Sequence, residues 1–101
     1  MEIVEIFGFG SFFQNKKIPS DIDLLLLHQN TSEKSCHFVI NCKSILILNL
    51  PHSDITILSK PEEAQNNFIQ KANACHLGTI RETFYKEDIG LVSEKISLLC
   101  K

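Results

Sequence analysis

Four consecutive leucines, Leu24-Leu25-Leu26-Leu27, follow directly on Asp21-Ile22-Asp23. A run this short and this apolar lacks the alternation of a half-exposed element. It reads as a strand buried on both faces, with its two acids at the entrance. Such a strand needs a sheet around it. Residues 3–9 alternate weakly and end in Gly8-Phe9-Gly10-Ser11, a strand running into a glycine-rich turn. Gln14-Asn15-Lys16-Lys17 and Pro19-Ser20 make a polar loop between these two strands, and so short a connection predicts antiparallel pairing. Asp54-Ile55-Thr56-Ile57-Leu58 is a third strand by composition and alternation.

Helical signals fill the gaps. Asn30-Thr31-Ser32-Glu33 has the form of a capping box, and Phe38, Cys42, Ile45, Leu46 and Asn49 follow at helical spacing. The run Ile45-Leu46-Ile47-Leu48 is equally compatible with a short strand, and Pro51 ends either element. Ser59-Lys60-Pro61-Glu62 offers a second helix start, with Ala64, Phe68, Ile69, Ala72 and Cys75 as its apolar face and Gly78 as its stop. Ile89, Val92, Ile96 and Leu99 are helically spaced in the tail. The expected fold is α/β (α+β), a small mixed sheet of three or four strands over residues 3–9, 21–27 and 54–58. Helices near 31–49 and 60–76 should pack on one of its faces.

At 101 residues, 44% of them apolar and 22% charged, the chain can close one core and is expected to be one domain over residues 1–101. A formal charge of −2 gives no overall basic field for nucleic acid. The four cysteines, Cys36, Cys42, Cys75 and Cys100, include no C-x-x-C pair, so no zinc ribbon or thioredoxin-type motif is written here. Met1-Glu2-Ile3-Val4-Glu5 carries acid where a signal peptide needs positive charge, and no apolar run reaches the ~20 residues that span a bilayer. The expectation is a soluble cytoplasmic protein with reduced thiols and no membrane contact.

The chemistry concentrates in one segment. Positions i and i+2 on a strand share a face, so Asp21 and Asp23 stand side by side. Two carboxylates at that spacing repel each other unless a cation or water compensates them, and Mg²⁺ favours one or two such carboxylates together with substrate phosphates. Gly10-Ser11, directly after a strand, lets backbone N–H groups approach a phosphate and adds a hydroxyl donor. Asp54, opening the third strand, is the candidate for a third carboxylate.

At these residues the chain resembles the DNA polymerase beta-like nucleotidyltransferase superfamily. Phe9-Gly10-Ser11, then nine residues, then Asp21-Ile22-Asp23-Leu24 looks most like its minimal nucleotidyltransferase branch. The resemblance implies that Gly10 and Ser11 hold the nucleoside triphosphate, and Lys16 and Lys17 are candidates to add positive charge to that site. It also implies that Asp21, Asp23 and Asp54 bind Mg²⁺ or Mn²⁺, with Asp54 as metal ligand or general base. The implied reaction moves a nucleoside monophosphate, AMP from ATP, onto a protein or other acceptor, with nucleic acid left open as one. The partner it implies is a helical protein, as in toxin–antitoxin modules of the HEPN type, and a homodimer is the other expected assembly. The alternative is a non-catalytic nucleotide-binding or antitoxin module on the same fold.

Each residue also has a plainer reading. A lone D-x-D is often a solvated strand edge, Asp54 could merely cap the loop after Pro51, and Lys16-Lys17 could be an ordinary surface loop. His28 and His52 read as surface histidines, Cys36, Cys42 and Cys75 as small core residues, and Phe12-Phe13 as core rather than a base-stacking pair.

Overall fold

The computed structural model describes residues 1–10 and 22–99. The fold is α+β. Four strands, β1 (Ile3–Phe9), β2 (Ile22–His28), β3 (Ser53–Ser59) and β4 (Cys75–Arg81), form one mixed sheet in the order β3-β2-β1-β4. β1 pairs antiparallel with β2 and β4, whereas β2 and β3 run parallel. The predicted antiparallel pairing of the first two strands is therefore observed. Among the described residues four helices accompany the sheet, α1 (Glu33–Asn49), α2 (Lys60–Asn66), α3 (Phe68–Lys71) and α4 (Tyr85–Leu99), with a 3-10 turn at Glu82–Phe84.

Alternation sorts the sheet into two faces. Val4 and Ile6 of β1, Leu24 and Leu26 of β2 and Ile55 of β3 point to the main core. There they meet Phe38, Val39, Cys42 and Leu46 of α1 and Ile89, Val92 and Ile96 of α4. Ile89, Val92 and Ile96 of the tail spacing are thus on the inner face of α4, spent on the chain's own core. Leu25 and Leu27 point the other way and are nevertheless buried, at 0% and 6% exposure. β2 is covered on both faces, as its leucine run requires.

The helix expected near 31–49 is observed as α1, and residues 45–48 take the helical one of their two readings, because Leu46 completes the core stripe of α1 and its carbonyl accepts from Leu50 N–H. Several expectations are corrected. The cap of α1 is Ser32, whose side chain accepts from Ser35 N, whereas Asn30 accepts from Ser32 N in the preceding turn. The helix expected over 60–76 starts as predicted. Ser59 and Glu62 form a capping box with Pro61 in the first turn. It then breaks at Asn67, in the left-handed region with φ 53°, and resumes only for the four residues of α3. The expected apolar face of Ala64, Phe68, Ile69, Ala72 and Cys75 is not buried, and Cys75 is exposed at the start of β4.

Gly78 lies inside β4 rather than stopping a helix; a Cβ there would stand 2.7 Å from Val92 Cγ2. The helices do not all share one face either. α1 and α4 cover the core side, and Phe68 of α3 packs edge-on against Phe9, which points to the opposite side.

Candidate functional site

The parallel register of β2 and β3 sets Asp23 beside Asp54, with Ile22 beside Ser53 and Leu24 beside Ile55. Paired residues on adjacent strands share a face about 4.8 Å apart, so the two carboxylates project together on the side away from α1 and α4. Asp23 is half-buried and Asp54 exposed. Of the three acids in the sequence expectation, Asp23 and Asp54 stand beside each other, and Asp21 lies outside the described residues.

On the other flank of Asp23 the antiparallel register brings Phe9 opposite, and Gly10 follows at the strand end. Gly10 has φ 81°, and a Cβ placed on it would run into the Asp23 carboxylate, 3.2 Å from Cγ. Two demands therefore coincide at one position. The backbone turns through the left-handed region, and it passes too close to Asp23 for any side chain. The end of β1 and the acid of β2 are thus in close contact.

Aromatic residues line the same face. Phe9 and Phe68 meet edge to face at 5.1 Å, and Phe7 meets His76 at 5.1 Å with an interplanar angle of 76°. His76 Nε2 lies 3.6 Å from Glu5 Oε1. Sequence reasoning missed the packing of Phe68 on Phe9 and of His76 on Phe7, because it folded both into one long helix. Gly10, Asp23 and Asp54 are the candidate residues brought together. Ser11, Lys16, Lys17 and Asp21, with Phe12 and Phe13, lie outside the described residues.

The donor set suits a hard divalent cation. Asp23 and Asp54 supply carboxylate oxygens, and one or two of these plus phosphate and water is the usual complement of Mg²⁺. No cluster of three or more His, Cys, Asp or Glu poised for a metal occurs among the described residues.

His28 marks the far end of β2 and corrects a second expectation, since it is buried at 5% exposure. Its Nδ1 lies 2.8 Å from Ser35 Oγ, and Ser35 Oγ also accepts from Asn30 N–H. Burial pushes its pKa below the ordinary value, against the opposing pull of Glu62, the Asn30 backbone and Glu2. This network ties the start of α1 to the sheet, well away from the acids. Cys42 is buried as expected, its thiol pushed up to about 12 by desolvation, whereas Cys36 is only half-buried.

No protein-family model matches the chain, and no curated protein or solved structure matches it either. Among the described residues no helix is long and apolar enough to cross a membrane.

Proposed function

We propose that this chain is a metal-dependent nucleotidyltransferase that moves a nucleoside monophosphate, AMP from ATP, onto a protein or other acceptor. The observation that carries this reading is the in-register pair of Asp23 and Asp54 beside a Gly10 backbone with no room for a side chain. In this reading the backbone turn at Gly10, with Ser11, receives the triphosphate on the side away from the Asp23 carboxylate. Asp23 and Asp54, joined by Asp21, hold Mg²⁺ or Mn²⁺. The bound ion supplies charge neutralisation at the phosphates and at the attacking and leaving oxygens.

The chain's own residues then position and accept. An acceptor hydroxyl attacks the α-phosphorus, the bond to pyrophosphate breaks, and the hydroxyl proton passes to a nearby base. Asp54 is the acid an incoming acceptor can reach, because it is exposed while Asp23 is half-buried. As ligand or as base, it acts on the acceptor side. A helical partner protein of the HEPN type is the favoured acceptor, as the resemblance carried by Gly10-Ser11 and Asp21-Ile22-Asp23 implies.

The test uses ATP labelled at the α-phosphate, Mg²⁺ or Mn²⁺, and the protein with its co-expressed genomic neighbour. Label on the neighbour, lost in Asp23→Asn and in Asp54→Asn, supports transfer. Absence of any metal-dependent ATP binding by the wild-type protein would sink the reading.

A further inference from the structure

The two edges of the sheet are treated differently. At the β4 edge, Arg81 N–H donates to Asp88 Oδ2 at 2.9 Å, and Lys95 Nζ donates to the Leu77 carbonyl at 3.2 Å. Side chains of α4 thus occupy backbone groups that another strand would need, which is how an edge is kept from pairing. At the β3 edge the two end amides are likewise taken, Ser53 N–H by the Leu50 carbonyl and Ser59 N–H by Glu62 Oε1, but among the described residues no side chain bonds the backbone from Asp54 to Leu58 and no strand lies beyond it. We infer that this β3 edge is where two copies of the chain pair, antiparallel, about a two-fold axis at Thr56.

The sequence of β3 selects a second copy rather than a foreign strand. Ser53-Asp54-Ile55-Thr56-Ile57-Leu58-Ser59 is nearly palindromic about Thr56. Two-fold antiparallel pairing there sets Thr56 against Thr56 and Ile55 against Ile57 of the second copy. Asp54 falls opposite Leu58, so the acids do not oppose each other. Threonine–threonine and β-branched pairs are favourable cross-strand neighbours, and like charges placed opposite are not. A two-fold contact must be self-complementary in this sense.

Helix α1 extends the same surface. Phe38 meets Tyr85 and Asn49 Nδ2 donates to Ser93 Oγ, so these two positions mark the flank of α1 that faces α4. Residues two apart on a helix are rotated by about 200°. Ile40 and Ile47 therefore lie on the opposite flank, towards β3, and they are 53% and 41% exposed. Strand pairing alone makes a small contact, and these isoleucines supply the apolar area a stable dimer needs beside it. The interface stands whether or not the acids bind metal.

Sedimentation equilibrium across the micromolar range tests the inference on the intact protein. The wild type is expected to dimerise, Thr56→Lys to weaken the dimer by roughly tenfold or more through opposed charges at the axis, and Leu98→Lys on α4 to leave it unchanged. Hydrogen exchange adds a readout that needs no variant, because protection of the β3 amides should rise with wild-type concentration. A wild type that stays monomeric, or a dimer broken by Leu98→Lys but not by Thr56→Lys, overturns the inference. So does β3 protection that is independent of concentration.

Discussion

Asp54 stands directly beside Asp23 across the parallel β2–β3 pair, on the face that α1 and α4 leave uncovered. Like charges at neighbouring sheet positions destabilise the pairing that brings them together. Asp54→Asn should therefore leave the melting temperature of the metal-free protein unchanged or slightly higher. The same change should remove the Mg²⁺-dependent part of the stabilisation that ATP provides by linkage. Thermal unfolding with and without MgATP checks both, and an equal MgATP shift in wild type and variant counts against a metal site at this pair.

Gly10→Ala meets two obstacles, the positive φ of 81° and the Asp23 carboxylate. A non-glycine residue held in such a conformation costs about 1–3 kcal/mol. The variant should be destabilised in urea by about that amount and should lose nucleotide binding more than a surface substitution of equal stability. Unchanged stability would mean that this turn relaxes freely.

Two glycines in the β4–α4 region make an internal control. At Gly78 a Cβ would press on Val92 Cγ2, so Gly78→Ala should destabilise by about 1–3 kcal/mol, the usual result of overfilling a packed contact. At Gly90, inside α4, a Cβ meets nothing within 4 Å. Gly90→Ala should stabilise by up to about 1 kcal/mol through helix propensity and a less free unfolded chain. Chemical denaturation of both variants checks the opposite signs.

His28 gives the protein a pH dependence of definite sign. Burial lowers its folded pKa below the ordinary value near 6.5. Below that pH the unfolded chain therefore takes up the proton more readily than the folded one. Stability present above about pH 6.5 is lost as the pH falls through the folded pKa. Wild-type melting temperature should drop more steeply between about pH 7 and about pH 5 than that of His28→Gln. Parallel profiles would remove His28 as the cause.

The strands β1, β2 and β3, the start of α2 and the inner stripe of α4 were legible in the sequence because their signals are local. Leu24-Leu25-Leu26-Leu27 has one reading as a buried strand, and Ser59-Lys60-Pro61-Glu62 caps a helix from four adjacent residues. Strand β4 was not legible. Cys75, Leu77 and Ile80 also fit the tail of a helix, and only the open edge of β1, together with the left-handed turns at Asn67 and Asn73, makes them a strand. The same holds for Gly78, whose role depends on Val92 arriving from another element.

By itself, then, the sequence determined which residues carry acid, glycine and apolar bulk, and where the segments with local signals, such as the start of α2, begin. Those properties follow from side-chain chemistry and from hydrogen bonds a few residues long. That Asp54 falls beside Asp23, that His28 is buried, and that Asp88 and Lys95 of α4 reach the backbone of β4 were decided only by the tertiary structure. Each depends on register and packing between segments distant in the chain, and no local spacing records which strand will lie next to which.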